Sequence, residues 1–178
     1  LAMVASRHHP APGLVVGVDF AGGMLALGQK KLTLAGLGGI VRLTRGDACC
    51  LPCRSGCADA VTVGFGIRNV AETTEAVREM YRVLRPGGHL AILEFGEPSM
   101  PVLRTLYLWY FRRVLPLIGR LLSRHAEAYA YLPASVSAFL GSATFAELLR
   151  ASGFSDVRIT RLTLGIVCLY VARKPTRV

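Results

Sequence analysis

"DAVTVGFGIRNVAETTEAVREMYRVLRPGGHLAILEF" (Asp59–Phe95) opens on an apolar run too short for a helix, passes Gly64 and Gly66, and meets Arg68 and Asn69 where a loop should begin. In "EAVREMYRVL", Val77, Met80, Tyr81 and Leu84 recur at i, i+3, i+4 and i+7, the spacing of one buried helical face. "RPGG" (Arg85–Gly88) follows, with Pro86 stopping the helix and Gly87 and Gly88 turning the chain. "HLAILEF" is then a second apolar strand. Two strands that are apolar throughout, joined by an amphipathic helix, indicate neighbours in a parallel sheet that is covered on its faces.

Outward from this unit the alternation continues. "LVVGVDF" (Leu14–Phe20) reads as a buried strand, and "MLALGQKKL" repeats Leu25, Gly28 and Leu32 at helical spacing. "IVRLTRGD" (Ile40–Asp47) alternates like a strand. Downstream, "DVRITRL" and "GIVCLYVARK" are separated by only about three residues, too few for a parallel crossover, so they pair as an antiparallel hairpin at the sheet edge. The expected architecture is α/β: one domain over residues 1–178, doubly wound, with a mostly parallel sheet, helices on both faces and an antiparallel C-terminal hairpin.

The 178 residues suffice for one real core, and the 52% hydrophobic content supplies it. Twenty-one Lys and Arg against eleven Asp and Glu give +10, a balance suited to a membrane surface, nucleic acid or a phosphate-bearing ligand. Nucleic acid is disfavoured, because no strand face interleaves aromatic and basic residues and no recognition helix stands out. The longest uncharged window, Ala128–Ala146, is interrupted by Pro133 and Gly141 and does not read as a transmembrane helix. The opening "LAMVASRHHPAPG" lacks the order of a signal peptide, so a cytoplasmic, reducing location is expected.

In doubly wound sheets ligands bind outside the carboxyl ends of the strands. Asp19 closes the first strand, where a carboxylate accepts two hydrogen bonds from a ribose or caps the helix that follows; spacing leaves both readings open. Asp47 closes the next, as an adenine-edge reader or an ordinary turn aspartate.

The run "VVGVDF…ML..GQKKL…GDA..LP…DAVTVGFGIRNV…A..EMYRVLRPGGHLAILEF..P", with "VLPLIG", "YAYLPASV", "GF.DV" and "LTLGIVCLY", resembles the C-methyltransferases of ubiquinone and menaquinone biosynthesis over nearly the whole chain. The resemblance implies a Rossmann-like fold and S-adenosylmethionine as cofactor. It implies that Asp19 holds the cofactor ribose and that Asp47 and Ala48 flank its adenine. Gly64, Phe65 and Gly66 then lie against the cofactor, with Gly66, Arg68 and Asn69 facing the methyl group and the quinol head. A missing Cβ lets backbone approach the sulfonium closely.

Methylating a ring carbon requires an electron-rich ring, so the neighbouring hydroxyl must lose its proton. Arg68 does not act as base, since a guanidinium keeps its proton, but it stabilises a phenolate. Tyr129, Tyr131 and His125 are the candidate acceptors, directly or through a water; His89, at a strand start, reads as structural.

"CCLPCRSGC" holds Cys49, Cys50, Cys53 and Cys57 and contains a C-x-x-C, but no His or second C-x-x-C stands nearby. Cys49 and Cys53 fall where the family carries Leu and Phe, so they read as small buried hydrophobes and no metal is expected. "VLRTLYLWYFRRVLPLIGRLLSR" (Val102–Arg124) keeps an apolar stripe with Arg104, Arg112, Arg113, Arg120 and Arg124 on the polar side, fitting a lid over the pocket, a rest on anionic lipid, or both. Expected partners are a polyprenyl quinol and a membrane surface, with a homodimer or quinone-biosynthesis complex compatible.

One family feature is missing. The Gly-rich "D.G.GTG" loop belongs upstream of "VVGVDF", yet the thirteen residues before that strand contain no such loop. With the non-Met start, this gives the expectation of an N-terminally incomplete enzyme that lacks a central strand and shows weak cofactor binding. A catalytically inactive cofactor- or lipid-binding remnant is the alternative function.

Overall fold

The computed structural model describes residues 13–96, 98, 105, 109, 110, 113, 135, 136 and 138–176. The chain first makes β1 (Val15–Asp19), α1 (Gly22–Leu34) and β2 (Val41–Arg45), with the two strands parallel, Val15 opposite Val41 and Asp19 opposite Arg45. Leu25, Gly28 and Leu32 are the α1 positions withdrawn from solvent, the same three that the periodicity picks out. A Cβ at Gly28 would lie 2.7 Å from Leu43 Cδ1, and one at Gly17 would lie 2.7 Å from Leu43 Cδ2. Helix and strand thus each give up a side chain to seat one leucine.

β3 (Ala58–Gly64), a 3-10 turn (Ile67–Asn69), α2 (Thr73–Val83), β4 (Leu84–Phe95), α3 (Ser142–Ala151), β5 (Ser155–Leu162) and β6 (Val167–Arg173) complete the fold. The four strands form one sheet in the order β3-β4-β6-β5. β3 and β4 are parallel, while β6 runs antiparallel to both β4 and β5. The hairpin is where the short connection put it, and Thr163, Leu164 and Gly165 turn it with positive φ values of 49°, 60° and 97°.

The core lies on one face of this sheet. Leu90 and Ile92 of β4 and Cys168, Tyr170 and Ala172 of β6 alternate inward, meeting Val77 and Met80 of α2 and Phe145 and Leu149 of α3. Phe145 meets the Tyr170 ring edge-on at 4.8 Å and 76°. Each Val, Leu, Ile, Phe or Met among them, fully buried, contributes about 1.5–3 kcal/mol. α3 ends in a Schellman turn, with the Phe154 and Gly153 N–H groups donating to Leu149 O and Arg150 O and Gly153 at φ 98°.

The structure corrects one boundary. α2 ends at Val83, and Leu84 is the first residue of β4 rather than the last of a helical stripe. "RPGG" is a bulge inside β4, not a connecting loop: Ala58 pairs with Leu84, whereas Ala60 pairs with His89. The Gly87 N–H donates to Lys174 O and the Lys174 N–H donates to Gly88 O, each at 2.9 Å, so the end of β6 holds the bulge in the sheet. Among the described residues β1 pairs only with β2 and β3 only with β4, so there are two sheets, each ending on an unpaired strand edge. No described helix is long and apolar enough to cross a membrane.

Candidate active site

Among the described residues, the candidates lie at or just past the carboxyl ends of β1, β2 and β3. Asp19, the last residue of β1, is exposed, and its Oδ1 accepts the Ala21 N–H at 2.8 Å in the turn entering α1. That bond shapes the turn before the helix and is not a helix cap, since Ala21 is the N-cap residue and no side chain caps it; it uses one carboxylate oxygen of two. The Gly46 N–H donates to Asp19 O at 3.2 Å, tying the end of β1 to the residue before Asp47. Asp47 is exposed and accepts the Cys49 N–H on Oδ1 at 2.8 Å, shaping its own turn, while Ala48 and Cys49 rest against the core.

That turn reaches the next part of the site. The Cys49 thiol lies 3.6 Å from Glu72 O, just past the 3-10 turn that carries Arg68 and Asn69. Loop 51–57 is held on α2 by a carboxylate–guanidinium clip. Glu79 Oε2 accepts the Leu51 N–H at 2.9 Å, Arg82 bonds Glu79 at 2.7 and 2.8 Å, and Arg82 also donates to Leu51 O and Cys53 O at 3.1 and 2.9 Å. The Arg82 guanidinium holds the Glu79 carboxyl below the usual range.

After β3 the chain makes a strained corner. Phe65, not a glycine, takes the left-handed conformation at φ 55°, while its ring packs 4.5 Å from that of Phe95 and its N–H donates to Leu93 O at 2.8 Å. Gly64, Phe65 and Asn69 are exposed, and Ile67, 1% exposed, pins the turn to the core. A Cβ at Gly66 would meet only ordinary contacts, Val63 Cγ1 at 3.8 Å and Gly64 O at 3.9 Å. Described neighbours therefore do not require a glycine there.

Arg68 is folded back into the protein. Its Nη1 donates to Glu94 Oε1 at 2.7 Å and Phe65 O at 2.6 Å, its Nε donates to Ser135 Oγ at 3.3 Å, and its guanidinium lies 5.2 Å from the Phe95 ring centroid. Its own backbone N–H donates to Glu94 Oε2 at 3.3 Å. Glu94 is fully buried, the one buried charged side chain among the described residues, and its Oε1 also accepts the Phe95 N–H at 2.8 Å. The sequence reading missed Glu94, although an acid inside the apolar run "HLAILEF" is the signal, since the buried face of a strand tolerates a charge only with a partner.

Burial and the Asp47 carboxylate push the Cys49 thiol up, and burial does the same to Cys53, so both stay protonated. Among the described residues no three His, Cys, Asp or Glu side chains converge as metal ligands. Tyr129, Tyr131, His125 and most of the arginine-rich stretch lie outside the described residues.

Comparison with known proteins places this arrangement. The ubiE/COQ5 methyltransferase family matches residues 1–174. A demethylmenaquinone methyltransferase of Thermus thermophilus is 45% identical over 166 residues, 93% of this chain and 74% of that protein. The ubiquinone/menaquinone biosynthesis C-methyltransferase UbiE of Geotalea daltonii is 36% identical over 174 residues, 98% of this chain and 74% of that protein. In three dimensions the chain resembles a SAM-dependent methyltransferase from Aquifex aeolicus, with TM-score 0.67 and 16% identity, over 96% of this chain and 74% of the other. A Haemonchus contortus phosphoethanolamine N-methyltransferase 2 in complex with S-adenosyl-L-methionine gives TM-score 0.71 at 17% identity, over 98% and 46%. These solved structures share the Rossmann-like methyltransferase fold, and by sequence the chain belongs to the ubiE/COQ5 methyltransferase family.

Proposed function

We propose that this S-adenosylmethionine-dependent methyltransferase of quinone biosynthesis acts on a ring carbon of a demethylated polyprenyl quinol at the carboxyl ends of β1 to β4. The observation that supports it best is the corner after β3, where a fixed guanidinium stands beside Gly66, a glycine that its described neighbours do not demand. The remaining residues fit the cofactor. Asp19 offers a second carboxylate oxygen for the ribose, Asp47 and Ala48 form the turn for the adenine, and Gly64 and Gly66 leave room for close approach. Bound there, S-adenosylmethionine supplies an electrophilic methyl group on a sulfonium.

The chain's own residues prepare the ring. Arg68 places positive charge where the ring hydroxyl becomes phenolate, and it does not take the proton. Burial pushes the Tyr170 phenol far up, so it stays protonated and is not the acceptor. Tyr129, Tyr131 and His125 keep that role, with Asn69 at the exposed edge of the turn to orient the quinol head. The names of the relatives favour a naphthoquinol over a benzoquinol. A polyprenyl tail brings the protein to a membrane, and a net charge of +10 suits the anionic inner face, reached from the cytoplasm. Assembly as a homodimer or with other quinone-biosynthesis enzymes fits the same role.

Incubating the chain with methyl-labelled cofactor and short-tailed demethylated naphthoquinol and benzoquinol tests this. Label on a ring carbon is the expected result. Cofactor binding without transfer to either acceptor would make the chain a binding remnant instead.

A further inference from the structure

Glu94 is the least expected residue at this site. A carboxylate fully removed from water at the end of β4 is expensive to bury, and a shape-matched apolar side chain would commonly serve stability as well. Its bonds are also unevenly directed: two of the three lead to Arg68, one to the guanidinium and one to the backbone N–H. The third, from the Phe95 N–H, ties the same carboxylate to the strand whose ring lies against the guanidinium. Phe65, held at φ 55° by the corner, supplies a carbonyl to the same Nη1. Strand, turn and strained corner therefore all fix one guanidinium, and Glu94 is where those restraints meet. None of these bonds uses Nη2.

We infer that Glu94 is a positioning residue: it sets the orientation in which Arg68 meets the quinol oxygen and does not touch the reacting atoms itself. The inference rests on the proposed quinol methylation. It accounts for a charge kept inside the sheet, because a neutral acceptor would hold the guanidinium less firmly, and a misplaced donor loses its value to a developing oxyanion. Gln at position 94 keeps size and shape but removes the charge and turns one donor toward the Arg68 N–H. Asp keeps the charge but shortens the reach by one methylene.

The test compares wild type, Glu94→Gln, Glu94→Asp, Arg68→Lys and Arg68→Lys with Glu94→Gln. Glu94→Gln is expected to lower kcat for a short-tailed demethylated quinol at least tenfold, with KM and the Kd for S-adenosylmethionine each within threefold. In the Arg68→Lys background the same change should cost less than threefold, since a residue acting through Arg68 has little left to lose once Arg68 is replaced. An equal loss in both backgrounds, or a parallel loss of cofactor affinity, would overturn the inference. A second measurement needs no turnover: the Arg68 Nη1–H protons, one of which Glu94 Oε1 accepts, read by nitrogen-15 NMR, should exchange with water at least tenfold faster in Glu94→Gln. Unchanged exchange would overturn the clamp. Should Glu94→Gln not fold, Glu94→Asp must show both effects, and wild-type values there would equally refute the idea. A wild-type chain that binds the cofactor but methylates no quinol would sink the proposed reaction and the positioning role with it, while the exchange result would still decide whether the clamp exists.

Discussion

At Arg68 the energetics constrain how function is tested. Truncating it to Ala would leave the Glu94 carboxylate buried and unpaired, and breaking a buried pair in this way costs about 3–5 kcal/mol. Arg68→Ala should therefore lower the melting temperature sharply, whereas Arg68→Met with Glu94→Leu should recover most of the loss; calorimetry checks both, and a single mutant as stable as wild type would refute the buried pair. Asp19 is the opposite case, exposed and bonded through one oxygen to its own turn. Asp19→Ala should weaken S-adenosylmethionine binding by about 1.5–3 kcal/mol, the usual worth of hydrogen bonds to a charged group. Asp19→Asn keeps a carbonyl for the Ala21 N–H, so a Kd that rises in both variants assigns the effect to the ligand, and a wild-type Kd in Asn alone assigns it to the turn. Gly66→Ala meets nothing closer than 3.8 Å, so it should leave stability within about 0.5 kcal/mol while raising the cofactor Kd; a large stability loss would mean that the glycine serves the fold. The residue types at these strand ends were readable from spacing and from the family resemblance, because strand ends are set by local patterning. That Arg68 turns inward was not, since its partner stands 26 residues away on another strand.

Whole elements were legible where one period dominated. The three α1 positions at helical spacing and the short β5–β6 link each follow from local rules, and the structure repeats them. "RPGG" misled because Pro and Gly usually end elements, while here bonds from Lys174, nearly ninety residues on, keep the segment inside β4. Loop 51–57 was equally opaque, being fixed by Glu79 and Arg82 of α2 rather than by its own turn residues. The clip has a pH signature. A carboxyl whose pKa is lowered on folding adds stability that is full above its ordinary value and is lost as pH falls through the lowered one. Acidification through that window should destabilise wild type more steeply than Glu79→Gln, which has no such group. Melting curves from pH 6 to 3 read the difference, and parallel slopes would show that Glu79 carries no linked stability.

The two sheets are supported very unequally. β4 and β6 are each paired on both sides and carry the core, whereas β1 and β2 form a two-stranded sheet, an arrangement of marginal stability alone. Among the described buried hydrophobic residues only Leu32 and Val41 belong to β1, α1 or β2, and Phe20, Met24 and Leu34 there are 70%, 62% and 89% exposed. Few buried apolar contacts mean a low free energy of local opening. Amides of β1 and β2 should thus exchange with solvent at least about a hundredfold faster than those of β4 and β6, a gap of roughly 2.7 kcal/mol. Since Asp19 closes β1, the weakly held part is also the part that would hold the ribose. A ligand that binds only the closed form stabilises it by mass action, about 2.7 kcal/mol at a hundred times its Kd. Saturating S-adenosylmethionine should therefore slow exchange in β1 and the Asp47 turn by up to about a hundredfold while leaving β6 unchanged. Uniform protection across both sheets without ligand would show that they open together, and a cofactor that protects β6 but not β1 would move the site away from Asp19.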